Sequence, residues 1–196
     1  GPSDHLAMIV RYGLFIVVLT LGLGAGARDW ADHWIATTDL PLMSVETSVE
    51  VHDRNGVLLR VFPVENGRTR MKTAMAEIDP AYLEMLINYE DKRYYSHAGV
   101  DLRAALRSVF QAVWGGKVVS GGSTITMQVA RLLENSGTGR WPGKIRQIRV
   151  ALALERAFGK DEILSLYLTH APYGGPLEGV RAGSLAWFGK EPARLN

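Results

Sequence analysis

From Leu6 to Ala27 the chain carries a single charge, Arg11, and from Tyr12 onward it reads YGLFIVVLTLGLGAGA. A helix over this run would span about 33 Å at ~1.5 Å per residue, against about 30 Å of bilayer hydrocarbon. Residues 6–27 are therefore expected to form one membrane-spanning helix. Two other uses of such a run are a buried core helix and a cleaved signal peptide. Small Ala25-Gly26-Ala27 suits the second, although the run is long for one. Arg11 can snorkel to the interface, and Trp30 and Trp34 beyond the far end suit an aromatic belt. Flanking charge is too sparse to orient the helix. Gly1-Pro2-Ser3 resembles a remnant of tag cleavage, so residues 1–5 are expected to be that remnant or the native start.

The remaining length suits one domain. With 22 basic and 20 acidic side chains the net charge is +2, so no broad basic footprint exists and nucleic acid is not an expected partner. Absence of cysteine excludes disulfides, thiolate catalysis and thiolate zinc sites. Residues 28–73 are expected to form a juxtamembrane segment, polar and tryptophan-bearing over 28–45. In it Thr47–Val51 alternates, Asp53-Arg54-Asn55-Gly56 is a turn and Val57–Val64 is apolar and β-branched, which predicts a β-hairpin. Glu65–Thr73 is expected to be a loop.

Over 74–196 the apolar period is helical. Asp79-Pro80 supplies an N-cap and a first-turn proline for a helix that delivers Glu90 at its C-terminal end. Asp101 caps a helix through Trp114, closed by Gly115-Gly116. Ser123 or Thr124 caps another, to about Glu134, and Asn135–Pro142 reads as a loop. Further helices are expected over Lys144–Phe158, Lys160–His170 and near Gly179–Trp187. The fold class is mainly α with a small β-hairpin.

Two stretches carry chemistry, EDKRYYSH from Glu90 and SGGSTITMQ from Ser120. Glu90-Asp91 is either a solvated pair or a base with a neighbour, because negative charge at a helix C-terminus opposes the macrodipole. Lys92 and Arg93 can pair with one carboxylate and leave the other free. His97 fits a structural role better than a catalytic one. The run GKVVSGGST nearly matches a P-loop, but Gly122 stands where the lysine belongs and the preceding segment is helical. What remains is either a glycine turn with a cap or an anion site at a helix N-terminus lined by Ser123, Thr124 and Thr126. Gln128 and Arg131 follow on that helix. Lys144, Arg146 and Arg149 form either a solvated face or a contact with anionic headgroups. Tyr167, Tyr173 and Trp187 read as core residues. No Ser-x-x-Lys occurs, so an acyl-serine site of the β-lactam-binding type is absent.

These stretches resemble the peptidoglycan glycosyltransferase domain of class A penicillin-binding proteins, glycosyltransferase family 51, most nearly of the 1C type. The resemblance rests on Glu90–Asp101, Gly121–Gln128, Lys144 with its basic helix, Lys160–Leu168 and Gly179–Lys190. It also takes in Ala171-Pro172-Tyr173-Gly174-Gly175. It implies a lysozyme-like helical domain over 74–196, truncated before the family's remaining helices and transpeptidase domain. It also implies a single-pass protein of the bacterial inner membrane with its catalytic domain on the periplasmic side. The implied reaction polymerises lipid II into glycan strands, with Glu90 as base, inversion at the anomeric carbon and release of undecaprenyl diphosphate. Asp91, Ser123, Thr124, Gln128, Arg131, Lys144 and Arg149 would bind substrate. No cofactor or metal ligand set is expected, although magnesium or manganese stimulation fits the diphosphate. Inner-membrane lipid and other cell-wall synthesis proteins are the implied partners.

Two departures stand out. Gln147 occupies the position of the family's second glutamate, in Gly143-Lys144-Ile145-Arg146-Gln147, and one cation of that motif is missing, which Arg146 or Arg149 could replace. Ser165 and Thr169 replace a usual glutamate and asparagine. A diphosphate leaves without the proton that an alkoxide requires, so loss of an acid is less grave here than in a glycosidase. The competing readings are a lytic transglycosylase or hydrolase, and a non-catalytic membrane-anchored scaffold.

Overall fold

The computed structural model describes residues 2–44, 46–115, 122–134 and 141–195, the side chains of 2–10, 112 and 113 excepted. Ser120, Gly121 and most of the expected 135–142 loop therefore lie outside the described residues. The chain divides into two units, Gly1–Thr38 and Asp39–Asn196.

The first unit is one helix, α1 (Pro2–Ala36). Its Arg11–Ala36 stretch is long and apolar enough to cross a membrane. Leu14, Phe15, Ile16, Leu21 and Leu23 are all more than half exposed, so this is not a core helix. The helix runs nine residues past the expected end at Ala27. Arg28 and Asp32 pair at i,i+4, and Trp30 and Trp34 stack with centroids 6.0 Å apart, which extends helical support into the polar stretch.

The second unit opens with the hairpin, β1 (Val49–His52) antiparallel to β2 (Leu58–Phe62), with Val49 opposite Phe62 and Val51 opposite Arg60. Asp53 Oδ1 accepts the Asn55 and Val57 amides, each at 2.8 Å, and Gly56 takes φ +81°. The 65–73 segment is not all loop. It contains β3 (Thr69–Arg70), which pairs in parallel with β4 (Leu177–Glu178).

Helices follow: α2 (Pro80–Glu90), α3 (Leu102–Gly115), α4 (Ile125–Glu134), α5 (Trp141–Ala157) and α6 (Lys160–His170). A last one, α7 (Val180–Phe188), follows β4. The starts of α2, α3 and α4 follow the caps read from sequence, whereas α5 begins three residues before the expected Lys144 and takes in Trp141 and Pro142, since a proline is tolerated in a first turn. Asp79 accepts the Ala81 amide, Asp101 the Ala104 amide, and Thr124 Oγ1 the Met127 amide. Helix α4 packs on both α5 and α6. Ile125, Val129, Val150, Leu154, Ile163, Leu164 and Leu168 make that interior, with Tyr94 sealed into it. Burial of a large aliphatic side chain contributes about 1.5–3 kcal/mol each, so this helix trio dominates the unit's stability.

Between α2 and α3 the chain folds over the start of α4. Gly99, at φ +87°, approaches α5 so closely that a Cβ there would lie 2.8 Å from the Ala151 carbonyl oxygen. The Gly99 carbonyl in turn accepts the Thr124 hydroxyl at 2.5 Å. Glu155 on α5 accepts from Thr126 at 2.6 Å and from Lys160 at 2.7 Å, joining α4, α5 and α6.

Candidate active site

Glu90 is the last residue of α2, and its Oε2 accepts a hydrogen bond from Gln128 Nε2 at 2.8 Å. Gln128 lies one turn into α4, so the helix interior fixes the carboxylate from behind. Glu90, Asp91, Ser123, Thr124 and Gln128 line a common cavity of about 560 Å³. Lys92, Arg93, Asp101 and Arg107 line it too. Lys144 reaches its rim from α5 by donating to Ser123 Oγ at 2.6 Å. Burial, and then the Arg131 guanidinium, hold the Lys144 ammonium below the usual lysine value of 10.5. Arg131 therefore lies near Lys144, although it does not line the cavity.

Not every expected ligand faces the opening. Asp91 is buried, and its oxygens are taken by His97 Nε2 and the Ile125 amide, each at 3.0 Å. Thr124 spends its hydroxyl on Gly99 and on capping α4. Thr126 is turned into the interior against Glu155. Gln147 is buried on α5, outside the cavity lining. Arg149 sits half-buried on α5, away from the cavity lining. Arg146 does not replace the missing cation: it is held by Glu134 at 2.7 Å and by the Asp39 carbonyl.

Other neighbours of Glu90 were not legible. Tyr82, Tyr167 and Tyr173, read as core or passed over, all feel its charge. Burial first, with the nearby carboxylate adding to it, raises each phenol above its ordinary value, so the three stay protonated. Tyr82 and Tyr173 are hydroxyl to hydroxyl. Arg107 lies seventeen residues beyond Glu90, on a helix whose pattern announces only an apolar face.

A family model described as Transglycosylase matches residues 55–196, well over half of the chain. The chain belongs to the transglycosylase family. Among curated relatives, this transglycosylase chain is 45% identical over 157 residues to penicillin-binding protein 1C of Escherichia coli K12, covering 80% of the chain and 20% of that protein. It is 33% identical over 181 residues to penicillin-binding protein 1F of Bacillus subtilis 168, covering 91% and 25% respectively. Against penicillin-binding protein 1A of Escherichia coli K12 it is 30% identical over 191 residues, covering 95% and 22%. The chain thus spans a fifth to a quarter of the length of these relatives. The match takes in β2, every helix after α1 and the whole Glu90 cleft, so the transglycosylase resemblance and the helical fold class are both upheld.

The lysine at the transglycosylase cleft makes a pH dependence visible. Its proton leaves at a lower pH than that of a free lysine, so attraction for an anion should begin to fade below pH 10.5. Titrating the chain with inorganic pyrophosphate by calorimetry should show affinity falling on that alkaline side. In Lys144→Arg the fall should move to higher pH, since a guanidinium stays charged there.

Proposed function

We propose that this chain is the glycosyl-transferring part of a peptidoglycan glycosyltransferase, polymerising lipid II into glycan strands. The observation that carries the reading is Glu90, fixed by Gln128 yet open to a cleft that also holds Ser123, Lys92 and Arg107, with Lys144 at its rim. In that geometry Glu90 takes the proton from the acceptor's 4-hydroxyl. The freed oxygen attacks the anomeric carbon of the diphosphate-linked strand from the face opposite the leaving group. The new C–O bond forms as the bond to the diphosphate oxygen breaks, with inversion. Negative charge growing on the diphosphate meets the Lys144 ammonium and the Ser123 hydroxyl, which stabilise it more in the transition state than in the bound substrate.

A hydrolase would need a second working carboxylate across the bond. The other two carboxylates of the cavity are occupied: Asp91 by His97 and Ile125, and Asp101 by Arg93 and the Ala104 amide. No group of three or more His, Asp or Glu able to hold a metal occurs among the described residues. No step here runs through a metal.

Helix α1 is proposed to anchor the protein in the bacterial inner membrane, with the cleft on the periplasmic side. Helix α3 offers a second apolar surface. Leu102, Leu106, Val109, Phe110 and Trp114 fall on one face and are 59–75% exposed, with the Phe110 and Trp114 rings stacked. A lipid-borne substrate accounts for such a ridge next to Arg107. Because the chain lacks cysteine, a fluorophore on Phe110→Cys reports this site alone. In nanodiscs its emission should be quenched by spin-labelled lipid, whereas a probe on Glu84→Cys should respond to aqueous iodide. Equal iodide quenching at both sites would place the ridge in water. The reaction itself is tested by incubating the chain with labelled lipid II. Polymer supports the proposal, whereas tight binding without turnover would favour the scaffold reading and muropeptide release from sacculi the hydrolase.

A further inference from the structure

Asp91 lines the cleft beside the base, but its carboxylate is turned into the fold, and its surroundings assign it a different task. Asp91 has a side chain only 4% exposed. One oxygen accepts the amide of Ile125, the first residue of α4, and both lie 3.0 Å from His97 Nε2. The His97 ring is itself only 9% exposed, and its Nδ1 is buried with no partner among the described residues. An N–H at Nδ1 would be a buried donor without an acceptor, which is costly. The ring is therefore held as the tautomer that donates from Nε2 to Asp91. The carboxylate also sits where a helix N-terminus favours negative charge.

The consecutive residues Glu90 and Asp91 thus meet α4 one turn apart, at the Gln128 side chain and the Ile125 amide. A third tie, Thr124 to the Gly99 carbonyl, closes the 91–99 loop over the same helix end. Two bonds from adjacent residues to one rigid helix fix both the position and the rotation of the Glu90 backbone. The bond through Gln128 alone would hold the Glu90 side chain but not the backbone turn that follows it.

We propose that Asp91, oriented by His97, is a positioning residue: it locks the end of α2 to the first turn of α4 and so sets where the Glu90 carboxylate stands relative to Ser123 and Lys144. The inference rests on the glycosyltransferase reading for its effect on rate, but the lock itself is a property of the fold.

The test exploits the unpartnered Nδ1. In Asp91→Asn the amide oxygen can still accept from Ile125, but the amide N–H₂ then faces His97 Nε2. Pairing them would require moving the ring proton to Nδ1, where nothing receives it. The double variant Asp91→Asn/His97→Gln removes that conflict, because two amides can pair in either sense. Turnover of lipid II and the hydrogen-exchange rate of the Ile125 amide are measured in the wild-type chain, Asp91→Asn and the double variant. Asp91→Asn should lower kcat by about 10²-fold, the scale of an ångström-sized misplacement, with KM nearly unchanged. The double variant should recover at least about tenfold of that loss, and Ile125 exchange should quicken in the single variant and slow again in the double. Wild-type kcat in Asp91→Asn, or no recovery in the double variant, overturns the proposal. If the wild-type chain makes no polymer, the function fails instead, and Ile125 exchange still decides the lock: unchanged exchange in Asp91→Asn overturns it.

Discussion

Glu90→Gln is expected to lower lipid II turnover by about 10²- to 10⁴-fold, the range for loss of a general base. Glutamine has nearly the same shape and can still meet Gln128, so the 2.8 Å contact and the packing at the end of α2 should survive. What disappears is the ability to accept a proton as the acceptor hydroxyl attacks. The loss should therefore fall on kcat, with little change in KM for lipid II, since a group used only in the transition state leaves ground-state binding alone. Lipid II binding measured separately should match the wild type. Undiminished polymerisation in this variant would remove Glu90 from the base role and leave the cleft as a binding site only.

Glu178→Ala is expected to cost about 3–5 kcal/mol of stability, as does removing one partner of a buried ion pair. Glu178 is a buried carboxylate in β4 that accepts from Arg70 Nε at 2.8 Å and Nη2 at 2.5 Å, and from Arg68 as well. Arg68 is 45% exposed and can turn to water, but Arg70, at 13%, cannot. Removal of the carboxylate leaves that guanidinium buried beside an emptied space. Only two residues on each side hydrogen-bond between β3 and β4, so the pair depends on this clamp. For a chain of this length about 2–4 °C is lost per kcal/mol, so the melting temperature followed by circular dichroism should fall on the order of 10 °C. Arg68→Ala should cost far less, because an exposed pair contributes about 0–1 kcal/mol.

Much of this architecture was legible. Helix starts were fixed by Asp79-Pro80, Asp101 and Thr124 because capping is local chemistry, and the hairpin by Asn55-Gly56 because its turn requires positive φ. The helical end of α1 was missed where Arg28-Asp32 and Trp30-Trp34 support each other, since a hydropathy argument stops at the first cluster of charges. The β3–β4 pair left no periodic trace: it joins residues more than a hundred positions apart in two-residue strands. At the cleft, residue types were readable and directions were not. Asp91 and Thr124 carry the right chemistry but turn it inward, and Arg146 goes to Glu134. Arg107 arrives from a helix that looks purely amphipathic. Which way a side chain points is decided by the packing of α4 on α5 and α6, and local sequence contains no record of it.

Gly99 and Ala151 meet main chain against main chain, with no methyl group between. Any larger residue at 99 would have to push the stretch of chain after α2 off α5, and the Thr124 tie to the Gly99 carbonyl would go with it. A single added carbon there would thus act on the cleft from outside it.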